Sequence, residues 1–584
     1  DNFLYVQNMV KLLHRTKKQS LFIKIDIAKA FDTVNWSYLL EILQQFGFGN
    51  RWLNWITNLF STSSSQVLLN GSPGQKINHA RGLRQGDPLS PMLFILAMEP
   101  FHRILKEAEN VNVLALLGVR NGRFRCSLYA DDVAVFASPN QEDLTTLSHI
   151  LACFAQLSGL HTNINKTKIY PIRCEGIDLQ NLLAGWPGQT KQFPCKYLGL
   201  PLHFRKIDFL PLIDKIGSRL PGWKGRFFTS AGRQALVSSV LSAMPTHHLT
   251  VLQAPKWVFK RIDHFRRSFL WKGEDPDHSN PGDSLINWQT VCKPKALGGA
   301  SLLELERFSR ALRLRWLWFN WKEEEMPWVG MSLPCDESDH RLFQAAMTIS
   351  VGNGAKTRFW HDNWLQNRCP KDIAPRCFSL AKRKQRSVQV ELTNSKWLTS
   401  FRQFTSVEEI HELVQLGGLI HLVTLSQEPD NITWNWTDSG TYTAKSAYLY
   451  QFEGSFAKLD YLSLWKAPAE PKMRFFGWLV LHHKTLTAQN LLRRHWPCNW
   501  ICCLCTCAFE DTNHLFSECI FTRQTWSLIC QFQNLTPLTS SHSPDVETWW
   551  NGTNHVGSKV QMQVIRGSLL TTWWNIWLER NRRI

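Results

Sequence analysis

Two apolar runs in this chain end in aspartate, and that feature restricts its fold more than any other. In residues 21–26 (LFIKID), Leu21, Ile23 and Ile25 fall on one face of an extended chain, and Phe22, Lys24 and Asp26 on the other. In residues 126–136 (CSLYADDVAVF), two strand-like runs meet at a turn containing Asp131 and Asp132. Runs this apolar pair within a covered sheet, so the three carboxylates are carried to a strand end and a hairpin turn, where a rigid sheet can aim them. Between the runs, Trp36, Leu39, Leu40 and Leu43 fall at helical spacing, as do Trp52, Trp55, Ile56 and Leu59. Residues 66–69 before Asn70-Gly71 read as a strand entering a tight turn. Ser90 reads as an N-cap with Pro91 at the first helical position.

A chain of 584 residues is too long for one ordinary domain, and three or four are expected. Hydrophobic residues at 44% exclude a wholly disordered protein. Lys+Arg 66 against Asp+Glu 47 leaves +19, which favours a polyanionic partner, nucleic acid or an acidic membrane surface. No apolar run reaches the roughly 18 residues of a spanning helix, so no membrane insertion is expected. The 27 Trp are expected to serve mostly core packing, with base stacking for some. The N-terminus lacks Met and a signal pattern, and with the ERNRRI terminus the chain reads as cut at both ends.

Taken singly, an Asp-Asp turn or a strand-end Asp is ordinary. Together, Asp26, Asp131 and Asp132 suit phosphoryl transfer on a polynucleotide, which uses two divalent ions about 4 Å apart. Mg²⁺ is hard and takes oxygen ligands. Three close carboxylates repel one another unless cations sit among them.

Of 15 Cys, seven lie between Cys498 and Cys530, which points to a local metal site in a reducing compartment rather than a disulfide framework. Cys502-x2-Cys505-x8-His514-x4-Cys519 supplies four ligands of the kind a closed, structural Zn²⁺ takes. Cys503 and Cys507 offer an alternative pair. Leu515 and Phe516 are placed to cap the metal with a small apolar core.

Three segments, FIKIDIAKAFD from Phe22 to Asp32, RQGDPLSP from Arg84 to Pro91 and YADD from Tyr129 to Asp132, resemble the palm motifs of reverse transcriptases. The closest likeness is to those of plant non-LTR retrotransposons of the long interspersed element type. Ser158-Gly159-Leu160 with Asn163 and Lys166, and Lys196-Tyr197-Leu198-Gly199, resemble the next two motifs in order. Residues 463–466, 475–479, 486–487 and 491, followed by the Cys/His pattern, resemble the zinc-binding domain that follows such enzymes. Gly222-Trp223 and Cys292-x-Pro294-Lys295 with Gly298-Gly299 resemble the family's thumb and linker.

The resemblance implies an α+β multidomain chain. It would comprise a right-hand polymerase palm (an antiparallel sheet with helices) with partial fingers at 1–204, a basic helical thumb and linker at 205–330 and a connecting region at 331–440. A small zinc-binding domain at 441–530 and a Trp-rich basic tail at 531–584 complete it. It implies an RNA-directed DNA polymerase with an RNA template, a DNA primer, deoxynucleoside triphosphates, two Mg²⁺ and one structural Zn²⁺. Asp26 and Asp131 would carry the Mg²⁺ ions and Asp132 complete the acidic cluster. Phe31 would lie under the incoming sugar and select deoxynucleotides, a ring that without its motif reads as core. Gln85 and Gly86 would lie against the nucleotide and template. Lys166 would act on the triphosphate or pyrophosphate, or else be a solvated surface lysine. Tyr197, Leu198 and Gly199 would grip the primer end, with Tyr197 alternatively a core residue. Lys260, Arg261, Arg266, Arg267, Arg310, Arg313 and Arg315 are expected to contact phosphates.

Only 25 residues precede Asp26, where relatives carry fingers and an upstream endonuclease, and no ribonuclease H carboxylate set is recognisable. A fragment or decayed copy is expected, acting in the nucleus after cytoplasmic synthesis. The alternative is a non-catalytic nucleic-acid-binding remnant.

Overall fold

The strand Ser20–Asp26 is the middle of a five-stranded sheet. Its order is Cys126–Tyr129, Asp132–Ala137, Ser20–Asp26, Lys168–Ile172, Gln189–Thr190. Strands pair antiparallel except at the last edge, where Lys168–Ile172 runs parallel to Gln189–Thr190. The sheet is therefore mixed, not purely antiparallel as expected. The chain leaves Ile172, passes through the short helix Leu179–Leu182 and returns in the same direction, a crossover long enough for parallel pairing. This computed structural model describes residues 1–118, 124–186, 188–204, 207–219, 225, 227–273, 284–534, 545–555 and 557–584. Gly222-Trp223 lie outside the described residues. Two compact units emerge: Asp1–Asp208 with Lys322–Leu333, and Phe209–Trp321 with Pro334–Ile584.

In the first unit the alternation read from residues 21–26 is realised. Leu21, Ile23 and Ile25 join a core with Leu39, Leu43, Phe94 and Phe101 from the helices Trp36–Gln45 and Ser90–Asn110. Phe22, on the other face, sits among Phe136, Tyr170, Phe193 and Tyr197, with ring centroids 5.3–6.3 Å away. The central strand is thus covered on both faces near Ser20 and opens towards Lys24 and Asp26. Residues 66–69 form a strand only at Leu68–Leu69, which turns through Asn70-Gly71 into Ser72–Pro73. Ser90 is not an N-cap. Leu89 is already right-handed helical (φ −81°, ψ −33°), so the helix begins one residue earlier than the Ser-Pro signal suggests, and Ser90 is buried within its first turn. Pro100 is carried inside the same helix.

In the second unit, Met347–Ser350 pairs with Asn431–Trp434. Just before that strand, the Asp430 carboxylate accepts backbone N–H bonds from Gly352, Gly354, Lys356 and Thr357 and the Thr357 hydroxyl bond, all at 2.8–3.0 Å. Among the described residues seven Trp are fully buried, six of them in this unit, including Trp316, Trp434, Trp478 and Trp573, in line with a packing role. Trp465 and Trp478 donate their indole N–H groups to the Gly299 and Gly298 carbonyls at 3.1 and 2.9 Å. Three expected phosphate contacts are structural instead. Arg266 is wholly buried and bonded to Asp263, Ser242 and the Leu303 carbonyl. Arg313 and Arg310 both bond Asp339, a buried carboxylate that also completes a capping box with Asp336. A basic helix facing a core spends its guanidinium groups on internal acids, which the charge count alone does not reveal.

Candidate active site and candidate metal centre

Asp26 ends the central strand, and its Cα partner across the ladder is Asp132. Residues directly opposite one another in a sheet share a face, so the two carboxylates project on the same side. The turn between Tyr129 and Asp132 consists of Ala130 and Asp131; Asp132 is already in the ladder rather than in the turn. Ala130 has φ 51°, a left-handed conformation that costs a non-glycine residue energy and is held here by the hairpin. Asp131 is exposed at this tip. Asp26 and Asp132 each have an ammonium partner. Lys24, two residues before Asp26 and on the same face, reaches Asp132 Oδ1 at 3.1 Å, and Lys166 Nζ lies 3.9 Å from Asp26 Oδ2. The three aspartates therefore converge in the backbone, but their oxygens do not form a single tight ligand group among the described residues. Hard carboxylate oxygens on one face, with a third at the adjoining turn, suit Mg²⁺ in donor type.

The loops around this strand end are tied to it. The Asn163 N–H donates to the Asp26 carbonyl at 2.7 Å, and Thr167 N–H bonds the Asn163 carbonyl, which fixes the turn that carries Lys166. Gly159 (φ 78°) ends the preceding helix against the Thr33 carbonyl, with no room for a Cβ. Phe31 stacks on Phe94 at 4.7 Å, which fixes its ring. Leu83 N–H donates to the Phe31 carbonyl at 2.6 Å, and the Trp36 indole to the Gly82 carbonyl at 2.6 Å. The segment carrying Gln85 and Gly86 is thereby laid beside Asp32. Gln85 Nε2 donates to Asp32 Oδ1 at 3.3 Å, and Gly86 (φ 87°) has open space on its Cβ side.

Tyr197 proves to be a core residue. It is wholly buried, stacks on Phe3, and its hydroxyl meets Ser127 Oγ at 3.2 Å, while burial pushes its pKa up. Leu198 and Gly199 form the tip of the hairpin joining Cys195–Tyr197 to Leu200–Leu202, both with positive φ. Lys24 was missed as a site residue, although the alternation had already placed it on the Asp26 face.

The second cluster lies in the other unit. A small hairpin pairs Ile501 with Phe509, and Cys502 N–H donates to the Ala508 carbonyl at 2.9 Å. His514 opens a π-helical turn, His514–Glu518, anchored by its N–H to Asp511 Oδ1 at 2.7 Å, and Cys519 leads into the helix Ile520–Phe532. The ligand atoms of Cys502, Cys505, His514 and Cys519 all lie within 4.8 Å of one another, with Cys505 Sγ 3.3 Å from His514 Nε2 and the Cys502 and Cys519 sulfurs 4.0 Å apart. Tetrahedral zinc–sulfur bonds of about 2.3 Å imply sulfurs about 3.8 Å apart, so the four positions fit that ion. The thiol of Cys502 bonded to Cys519 draws the Cys519 pKa down. Hydrogen bonding to Cys502, then to Cys505, raises His514 to about 9 despite burial. The spacing ambiguity is resolved. Cys503 turns to the Arg580 carbonyl at 3.6 Å and Cys507 is exposed, so neither belongs to the cluster. Leu515 and Phe516 are fully buried beside it.

Residues 2–202 match the family model described as reverse transcriptase (RNA-dependent DNA polymerase), and residues 442–526 that described as zinc-binding in reverse transcriptase. An Arabidopsis thaliana protein carrying a ribonuclease H name is 23% identical over 55% of this chain and 55% of its own length. The uncharacterized 149 kDa protein of the Xenopus laevis transposon TX1 is 26% identical over 47% of this chain and 21% of its own. The Drosophila melanogaster type-2 retrotransposable element R2DM polyprotein is 25% identical over 34% and 19%. The chain thus spans about half the length of the first of these relatives and about a fifth of the other two. Among solved structures, a Candida albicans telomerase in complex with a fragment of telomeric RNA covers 46% of this chain and 47% of its own at a TM-score of 0.27 and 12% identity, too slight a likeness to carry an argument. No described helix is long and apolar enough to cross a membrane. Its ordered palm motifs, its Cys/His cluster and both family matches show that this chain carries a reverse transcriptase domain of the non-LTR retrotransposon type at residues 2–202 and the zinc-binding domain of reverse transcriptases at residues 442–526.

Proposed function

We propose that this chain is an RNA-directed DNA polymerase that extends a primer 3′-hydroxyl with deoxynucleotides on an RNA template, acting in the nucleus. The observation that carries the reading is the cross-strand pairing of Asp26 with Asp132, with Asp131 at the adjoining turn. Two Mg²⁺ bound by these carboxylates would lower the pKa of the primer hydroxyl and neutralise the triphosphate and departing pyrophosphate. Asp26 and Asp131 would hold the ions, and Asp132, paired with Lys24, would complete the acidic cluster and keep the hairpin end in register with the central strand. Lys166, carried on the turn pinned to the Asp26 carbonyl, reaches towards the triphosphate. The Phe31 ring, which stacks on Phe94, would lie under the incoming sugar and exclude a 2′-hydroxyl. Gln85 and Gly86 bound the nucleotide and template, and the Leu198–Gly199 tip meets the primer. In the second unit, Cys502, Cys505, His514 and Cys519, whose ligand atoms lie within 4.8 Å of one another, would hold one structural Zn²⁺.

Primer extension on poly(rA)/oligo(dT) with Mg²⁺ tests this. Incorporation is expected from the wild-type chain and is abolished in Asp131→Asn. Folded wild-type chain that binds the substrate in a salt-sensitive way and incorporates nothing would overturn it in favour of a non-catalytic nucleic-acid binder.

A further inference from the structure

At the end of the sheet opposite Asp26, three neighbouring strands stop together. Ser20 opens the central strand beside Ile172, and Leu21 pairs with Ala137, so the two flanking strands close where the central one begins. The residues just past these ends, Lys17, Lys18, Ser138, Asn140, Arg173 and Glu175, line a cavity of about 680 Å³. Three cations and one carboxylate leave it with positive charge in excess. Lys17 and Arg173 both have φ 54°, so tight turns on two separate segments bring these cations to one cavity.

The ordinary role for cations here is to close the first helix, Asn2–Arg15, but other groups already do this. Thr16 N–H bonds the Leu12 carbonyl at 2.9 Å, Lys18 N–H the Leu13 carbonyl at 3.0 Å, and both Lys17 N–H and Arg173 Nε bond the His14 carbonyl, at 3.3 and 3.2 Å. The two ammonium groups are not needed for that purpose. Among the described residues, no carboxylate lies within ion-pair distance of Lys17, Lys18 or Arg173. Uncompensated cations around a concave surface concentrate the field and draw in anions.

We propose that this cavity is a phosphate-binding site for a polyanion with successive phosphates. Two sources have that chemistry, a polynucleotide strand and free inorganic polyphosphate. The strand is favoured by position. The seven-residue strand Ser20–Asp26 puts the cavity about 20 Å from the catalytic end, roughly six nucleotides of strand at the duplex spacing. A template leaving Asp26 along the sheet therefore reaches the cavity. This choice of source rests on the polymerase reading, whereas the phosphate chemistry does not.

The test uses the full chain and fluorescence anisotropy on two primer–templates with the same duplex, one blunt and one with a single-stranded template overhang of about twenty nucleotides. Binding is read without incorporation, so a chain that fails to polymerise still reports on the cavity. In the Lys17→Gln/Lys18→Gln/Arg173→Gln variant, affinity for the overhang substrate is expected to fall roughly tenfold near 0.15 M salt. The slope of log K against log salt should shrink by about 2, as three lost single-strand contacts require, and blunt-duplex binding should stay unchanged. Glu175→Gln, which removes the one acid without touching a cation, is expected to tighten overhang binding about twofold. Calorimetric binding of tripolyphosphate that is lost in the triple variant, with overhang affinity unchanged, would keep the phosphate site and make free polyphosphate its ligand. Unchanged overhang affinity and salt slope, with no tripolyphosphate binding lost, would overturn the proposal.

Discussion

Lys24 and Asp132 meet because side chains alternate along a strand. Lys24 and Asp26 share a face, and Asp132 lies directly across from Asp26, so the ammonium is diagonal to the second aspartate of the YADD turn. If Lys24 acts by holding Asp132, the two substitutions are not additive. Lys24→Met is expected to lower kcat for primer extension about tenfold, Asp132→Asn by a similar factor, and the double variant by little more than either; a full hundredfold loss in the double variant contradicts the coupling. The cysteines make a second residue-scale test. Wild-type chain is expected to carry one zinc by native mass spectrometry in reducing buffer, Cys505→Ser to lose it, and Cys507→Ser to keep it. The placing of the carboxylates at a strand end and its neighbouring hairpin, and the grouping of Cys502, Cys505, His514 and Cys519, were legible in the sequence because each sits in a short, distinctive spacing. The choice between Cys502/Cys505 and Cys503/Cys507 was not legible, since both pairs have similar separations. It is made by the hairpin, which turns Cys503 towards Arg580 on a helix far along the chain. Tyr197 was open for the same reason: only the fold shows Phe3, Phe22 and Ser127 around it.

At the scale of elements, single acids hold distant segments together. Asp430 binds the loop from Gly352 to Thr357 through five hydrogen bonds. Burial alone would raise its pKa, but the backbone bonds from Thr357, Gly352 and Gly354 outweigh it and hold the carboxyl below its ordinary range. The resulting stabilisation is full above the unfolded carboxylate value of about 3.9 and is lost as pH falls through the lower folded value. Asp430→Asn is expected to lower the melting temperature of the chain at neutral pH and to flatten its pH dependence on the acid side; an unchanged acid limb contradicts the assignment. Likewise, Glu510 Oε1 accepts from Arg580 at 2.7 Å and from Ala488 N–H at 2.9 Å, so the helix Lys559–Arg583 is bonded to the segment bearing the Cys/His cluster. The pair is buried, and Arg580→Ala leaves Glu510 uncompensated, at a cost of about 3–5 kcal/mol, measurable by denaturant unfolding with metal bound. The helices Trp36–Gln45 and Asn50–Ser61 were legible because apolar residues recur at helical spacing along each. The Asp430 nest and the Glu510–Arg580 pair were not, because hydrogen-bond partners tens of residues apart leave no periodic trace. The helix at Ser90 begins one residue early because Leu89 is already helical, a matter of backbone angle and not of residue type.

For the whole molecule, the alternation of residues 21–26 predicts a strand with Leu21, Ile23 and Ile25 on one face and an acid at its end, and the first unit is built around that strand. The mixed character of the sheet escaped prediction, because Gln189–Thr190 is a two-residue strand with no hydrophobic run to announce it. The excess of basic residues favours a polyanionic partner but does not say which cations are available to it, since Arg266, Arg310 and Arg313 are spent on internal acceptors. The central proposal for the first unit is that Asp26 and Asp131, with Asp132 completing the acidic cluster, hold paired divalent ions at the end of its sheet. Crystals of the full chain with template–primer, a non-hydrolysable deoxynucleotide and Mn²⁺ test it most directly by anomalous scattering. Two peaks about 4 Å apart, ligated by Asp26 and Asp131, are predicted; clear density for the nucleic acid with no metal peak at these carboxylates would contradict the account.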